Sequence, residues 1–280
     1  MLTGIIGMGG GTLSNELLDM FNYSADTVTS YAFIQQRNKI KPKAFETIFK
    51  AFSTDISLET NENELRILDV DGSHIHIATN PDDKESYMPG SNGHKSYNLL
   101  HLNALYDLKQ NIYSDAIIQK KRKNNEYKAF IDMVDRSPIL KALVIADRGY
   151  ESYNNMAHIQ EKGWKFLIRI RDGAMGIKSS FVLPDYNCFD VNIRLKLTRK
   201  QTNETKELFK DKNNYKFIPA SSTFDYLPLK NKKAEPVKFY DLNFRMVRFQ
   251  ISNGVYETLL TNLDADEYPP EELKKLYAAR

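Results

Sequence analysis

Apolar positions recur at helical spacing through roughly the first 60 residues. Leu13, Leu17, Leu18 and Phe21 form one stripe, and Phe45, Ile48, Phe49 and Phe52 form a second after Pro42. Ser14 is placed to cap the first helix and Pro42 to open the later one. Residues 1–62 therefore read as a helical domain, closed by the polar stretch Asn61-Glu62-Asn63-Glu64. Such a bundle is either a DNA-reading unit or a scaffold lid, and periodicity does not choose between them.

From Leu65 the period shortens. Leu65 to Asp71 reads as a short strand interrupted by acids, and His74 to Ala78 as a second strand after a Gly72-Ser73 turn. Tyr97 to Leu105 and Ala116 to Gln119 are the next strand candidates. Tyr127, Phe130, Ile131 and Val134 mark one face of a helix from Glu126 to Val134. Leu143-Val144-Ile145-Ala146 is continuously apolar, as a strand covered on both faces must be. A helix from Tyr153 to Lys162 and a buried strand from Phe166 to Ile170 follow. Strands succeeded by alternating helix and strand predict a mixed α/β sheet covered by helices.

Between Arg171 and Gly254 the helical signal is weak. Val191, Ile193, Leu195 and Leu197 alternate with polar residues, and Leu242, Phe244 and Met246 repeat the pattern. Phe249 and Ile251 are shifted by one position, which predicts a bulge. Residues 173–255 thus read as a β-rich insertion into a core made of residues 63–172 and 256–280. Tyr256 to Asn262 is expected to return to the core, and Pro269-Pro270-Glu271-Glu272 to begin a last helix.

Composition narrows the class. The 280 residues are 41% hydrophobic and 27% charged, as in a soluble globular chain. No apolar run approaches the roughly 20 residues that cross a bilayer, and no signal-like segment opens the chain. The single Cys188 excludes a disulfide framework and a multi-cysteine zinc site. The reading is a cytoplasmic protein with no membrane partner. Net charge is only +3, yet basic residues cluster at Arg37 to Lys43, Lys120 to Lys123, Arg194 to Lys200 and Lys230 to Lys233. Each cluster suits phosphate neutralisation or, equally, a solvated surface. Met8-Gly9-Gly10-Gly11 lacks the Lys-Ser/Thr of a phosphate-binding loop.

Two aspartates adjoin apolar strands, Asp71 and Asp147. Carboxylates brought together at a sheet edge repel, and a divalent cation resolves the repulsion while acting as a Lewis acid. Magnesium suits such hard oxygen ligands. The plainer alternative is that each Asp starts a turn. Strand alternation puts Asp69 on the same face as Asp71, so the residues alone leave either as the candidate. His74 and His76 share a strand face near Asp71 at a spacing compatible with zinc or iron, but no third His or Cys lies near them in sequence.

Several segments occur together in order: Leu13 to Leu18, Ser30 to Ile40, Asp71-Gly72-Ser73, His101 to Asp107, Ala146 to Ser152 and Leu276 to Arg280. The set resembles the DDE transposases of bacterial insertion sequences, in particular the group with a Tyr-Arg-Glu-Lys signature on its last catalytic helix. The resemblance implies a ribonuclease H-like core carrying a β-strand insertion. It makes Asp71 and Asp147 the first two catalytic carboxylates and the ligands of Mg2+, with Mn2+ as a substitute. Tyr277 and Arg280 match the signature residues that hold DNA phosphates, and Arg37, Lys39 and Lys41 are further DNA-binding candidates. The implied reaction is metal-dependent cleavage of transposon ends and strand transfer into target DNA, performed by a homodimer on DNA at the nucleoid. The signature Glu falls four positions after Arg280, beyond this sequence, so the 280-residue chain is expected to fold without catalysing. Alternatives are a non-catalytic fragment that binds transposon ends and a metal nuclease that does not join DNA.

Overall fold

Threonine caps open two of the N-terminal helices in the computed structural model, which describes residues 1–58, 64–91, 93–172, 176–229 and 236–280. After a short helix α1 (Leu2–Gly7), α2 (Leu13–Met20) starts at Thr12, whose hydroxyl accepts from the Asn15 N–H. Thr29 caps α3 (Ser30–Arg37) in the same way, and α4 (Pro42–Leu58) follows. The cap of α2 is therefore Thr12 and not Ser14, whose hydroxyl instead meets that of Ser30 at 3.1 Å. The glycine run before α2 wraps a carboxylate of its own chain: Gly9 and Gly11 N–H groups donate to Glu16 at 2.9 and 2.8 Å. Leu17 and Phe33 are buried, whereas Ile48 and Phe52 of the predicted apolar stripe are exposed. These helices form one compact unit, Met1–Ile56; residues Ser57–Arg280 form the other. The predicted linker positions 61–63 and the Lys230 to Lys233 cluster lie outside the described residues.

The second unit is built on one mixed sheet. Its elements are β1 (Arg66–Ile77), β2 (Tyr87–Met88), β3 (Tyr97–Asp107), β4 (Ile112–Lys120), α5 (Glu126–Arg136), β5 (Ala142–Ala146), α6 (Tyr153–Glu161) and β6 (Lys165–Arg169). There follow β7 (Phe189–Thr198), α7 (Asn203–Leu208), β8 (Tyr215–Phe217), β9 (Tyr240–Ser252), β10 (Val255–Thr261) and α8 (Pro270–Ala278). Strand order among the described residues is β2-β3-β1-β5-β6-β10-β9-β7-β8, with β4 also paired to β3. β1, β3 and β4 are antiparallel neighbours, and β1, β5 and β6 run parallel through helical crossovers. That succession is the ribonuclease H-like arrangement. The strands of the 173–255 stretch extend the same sheet, because β10 pairs antiparallel to β6 and β9 to β10.

Each sheet face has its own core. Leu68, Val70, Val144, Ala146, Phe166 and Ile168 meet α5 and α6 through Phe130, Met133, Met156 and Ile159. On the opposite face Leu143, Ile145, Leu167, Val247 and Phe249 lie under Leu273 of α8. Fully burying a side chain such as Leu273 contributes about 1.5–3 kcal/mol, which fixes α8 to this face.

The two-sided covering explains two departures from the sequence pattern. β9 has no bulge where its apolar phase changes; Leu242, Phe244 and Met246 face one core and Val247 and Phe249 the other. Its irregularity comes at Ile251, one of the two residues that predicted a bulge, which the register skips between Gln250 and Ser252 opposite Tyr256 and Val255. Gly72-Ser73 is likewise not a turn. The β1 ladder runs through it, pairing Gly72 with Asn103 and Ser73 with Leu102. Glycine is needed there because a Cβ would lie 2.8 Å from His101 Nε2. The short α7, opened by a Thr202–Thr205 capping box, is too brief to give a periodic signal. Among the described residues no helix is long and apolar enough to cross a membrane.

Candidate active site

Parallel register places the two candidate carboxylates. Val70 pairs with Ala146, so Asp71 and Asp147 follow at the same level on adjacent strands, whose separation is about 4.8 Å. Side-chain alternation does the rest. Ile67, Asp69 and Asp71 share one face of β1, and Leu143 and Ile145 lie on that face of β5 with Asp147 next in phase. This is the face covered by α8, which contributes Leu276 and Tyr277 at its edge.

Asp147 ends the buried strand and caps a short 3-10 turn, Arg148–Tyr150, with its Oδ1 accepting from the Gly149 N–H at 2.7 Å. A Cβ on residue 149 would approach that oxygen to 2.8 Å, so the glycine lets the carboxylate fold back over its own turn. Asp71 is exposed, its side chain 66% accessible, whereas Asp69 retains 17%. Burial raises the Asp69 carboxyl above the usual range and the Arg280 guanidinium opposes that rise; Asp71 and Asp147 add further upward pressure. Arg280 Nε lies 2.6 Å from Asp69 Oδ1, and its Nη2 is 3.7 Å from Asp71 Oδ1 and 3.5 Å from the Val70 carbonyl. Tyr277 sits one helical turn earlier, its hydroxyl 3.4 Å from Arg280 Nη1.

A cavity of about 510 Å³ opens beside the carboxylates, lined by Asp69, Asp71, Ser73, Leu102, Tyr106 and Tyr113 among others. A second, of about 500 Å³, lies between Ile251, Glu257, Lys274, Tyr277 and Arg280. Under the opposite face sits a residue the sequence did not single out. Tyr150 is buried with no hydrogen-bond partner for its hydroxyl among the described residues, and burial, then the charges of Glu126, Asp71 and Asp147, push its pKa upward.

The structure therefore brings Asp71, Asp147, Tyr277 and Arg280 together, with Asp69 beneath them. Arg37, Lys39 and Lys41 belong to the Met1–Ile56 unit and are all exposed. Two other basic clusters are largely engaged. Lys120 and Lys123 pair with Asp83 and Glu85, Lys196 pairs with Asp241, and Arg199 donates to the carbonyls of Pro219, Ser222, Phe224 and Leu227. His74 Nε2 lies 2.6 Å from Lys121 Nζ, and His76 packs on Tyr97. Among the described residues no group of three or more His, Cys, Asp or Glu side chains converges on a metal position.

Comparison with known sequences is decisive for the family. A profile described as "Transposase DDE domain" matches residues 62–280. The chain belongs to the Transposase DDE domain family. Its match begins at the start of the sheet unit and runs through α8, so all the carboxylates above fall inside the transposase domain. The family generally works with divalent metal ions. Among solved structures, one that is similar is the cryo-EM structure of piggyBac transposase in a synaptic complex with hairpin DNA. The likeness has 12% sequence identity and a TM-score of 0.36, covering 76% of this chain and 38% of that one. This transposase-family chain thus spans well under half the length of that protein. No curated protein matches it.

Proposed function

We propose that the chain is the catalytic part of a DNA transposase that cuts the ends of a mobile element and joins them to target DNA. The observation that carries this is the level placement of Asp71 and Asp147 on adjacent parallel strands, on the face where α8 holds Tyr277 and Arg280.

The donor set fits a hard divalent cation. The acidic groups gathered on this face offer carboxylate oxygens, and their mutual repulsion is relieved by a positive ion. Asp71 and Asp147 would hold it, the rest of the shell being water and phosphate oxygens, which is how magnesium is commonly bound. When bound, Mg2+, or Mn2+ in its place, supplies a Lewis acid for the phosphodiester and acidifies a water. The chain's own residues do the remainder. Gly149 orients Asp147, and the Arg280 fork and Tyr277 hydroxyl are donors suited to phosphate oxygens beside the carboxylates. Arg37, Lys39 and Lys41 would neutralise DNA phosphates, and a homodimer would hold the two ends together.

The test assays magnesium-dependent nicking and strand transfer separately, on transposon-end DNA. Residues 1–280 are compared with the same chain extended to place Glu four positions after Arg280. Nicking and joining are expected from the extended chain. Asp71→Asn or Asp147→Asn in it should reduce nicking at least about hundredfold, since metal positioning contributes several kcal/mol at about 1.4 kcal/mol per tenfold. Variants that keep the parent rate would reject both carboxylates as catalytic, and nicking without joining would make the protein a nuclease.

A further inference from the structure

The resemblance assigns Arg280 to DNA phosphates, yet in this structure its guanidinium already lies against groups of its own chain. Nε faces Asp69 Oδ1 at 2.6 Å, while Nη2 points toward Asp71 Oδ1 at 3.7 Å and the Val70 carbonyl at 3.5 Å. Asp69 and Arg280 are both largely covered, 17% and 19% exposed, whereas Asp71 is open. A planar fork held by charge against a largely covered carboxylate, a close ion pair without the alignment of a hydrogen bond, is confined in where its other nitrogens lie. The anchor therefore decides that positive charge sits beside Asp71.

We propose that Asp69 is a positioning residue which seats Arg280 as the resident counterion of the carboxylate cluster, so that a divalent cation must displace or outcompete this guanidinium to bind Asp71 and Asp147. The inference rests on the metal-binding reading of those two aspartates. It assigns to Asp69, which makes no direct claim on the metal, control over how tightly the metal is held. It also links the two cations of the site: with the metal in place, the fork is driven away from Asp71 and its donors become available to an anionic oxygen of the substrate. No proton transfer or covalent step is involved.

Manganese binding measured by electron paramagnetic resonance tests this without DNA or turnover. Arg280→Gln should tighten Mn2+ binding by about threefold to tenfold, the effect of removing one nearby positive charge at a water-like dielectric, as suits a site open to solvent at Asp71. Arg280→Lys, which keeps a charge, should stay near the parent value. The discriminating arm is the double variant. In an Asp69→Asn background Arg280 is no longer seated, so adding Arg280→Gln should change manganese affinity by less than about twofold. A merely structural ion pair would alter melting temperature but not produce this pattern. An Arg280→Gln variant with unchanged or weaker affinity overturns the proposal, as does an Arg280→Gln effect of equal size in both backgrounds. If neither the parent chain nor Arg280→Gln binds Mn2+, the metal-site reading falls together with it. Binding by the parent with no response to Arg280→Gln refutes this inference alone.

Discussion

Removing the carboxylate of Asp190 should loosen the segment that lays α8 over the face carrying Asp69 and Asp71. Arg245 on β9 is almost wholly buried, its side chain 4% exposed. Its Nε and Nη2 donate to the two oxygens of Asp190 on β7, and its Nη1 donates to the carbonyls of Leu263 and Tyr268 at 3.2 and 3.1 Å. Those carbonyls belong to the connection between β10 and α8, so one guanidinium ties the inserted strands to the helix carrying Tyr277 and Arg280. Asp190→Ala leaves that charge buried with two neutral acceptors. Breaking a buried ion pair costs about 3–5 kcal/mol, and because Asp190 is 28% exposed the low end, about 3 kcal/mol, applies. At about 2–4 °C per kcal/mol for a unit of this size, the melting temperature should fall by roughly 6–12 °C. Calorimetry supplies that number, and amide exchange should rise in residues 263–280 while β3 and β4 stay protected. Lys196→Ala, which breaks an exposed pair with Asp241 on the same strands, is the control and should move the melt by about a degree. An Asp190→Ala melt within about 2 °C of the parent, or exchange that rises evenly over the sheet, would refute the reasoning.

Gly149→Ala should displace the Asp147 carboxylate, because the new Cβ would meet Oδ1 at 2.8 Å; weaker Mn2+ binding with little loss of melting temperature is expected, and unchanged affinity would count against it. A hydrogen bond from Asn154 holds the Asp225 carboxyl below its usual range against opposing burial. Its folded form is therefore easier to ionise than the unfolded one, so its stabilisation is complete above about pH 4 and is lost as pH falls through the lower folded value. Urea midpoints taken downward from pH 6 should show a drop on the acid side that is smaller in Asn154→Ala; equal pH slopes would contradict this. Replacing Arg37, Lys39 and Lys41 together by Ala should flatten the salt dependence of DNA binding by up to roughly 2.7 in log–log slope, about 0.9 per lost phosphate contact. An unchanged slope would make those residues solvated surface.

Much of this fold was legible because period-two and period-3.6 patterns each report burial on one face. β5, β6, α5 and α6 stand within a residue or two of where that pattern put them. The errors arise where a local signal was outweighed by context. Gly72-Ser73 looked like a turn, but ladder pairing to β3 and the room needed by His101 make it the middle of a strand. The phase change in β9 looked like a bulge because sequence does not reveal that a second core lies across the sheet. For the site, Asp69 and Asp71 were indistinguishable by alternation; only the packing of α8 separates a carboxylate covered by Arg280 from one left open. Tyr150 could not have been singled out, since its setting depends on α5, β5 and β1 coming together. The basic clusters stayed ambiguous in sequence for a related reason. Charge in sequence does not show that Lys120, Lys123 and Lys196 face acids contributed by distant segments.

The central claim is that Asp71 and Asp147 together hold the divalent ion that cuts DNA. Anomalous scattering from crystals of the protein soaked in Mn2+ with a transposon-end duplex tests it most directly. The account predicts a manganese peak within bonding distance of both carboxylates, about 2.0–2.3 Å, that disappears in Asp147→Asn crystals grown under the same conditions. Manganese bound elsewhere with the Asp71 and Asp147 carboxylates unoccupied, or a peak that persists unchanged in Asp147→Asn, would contradict it.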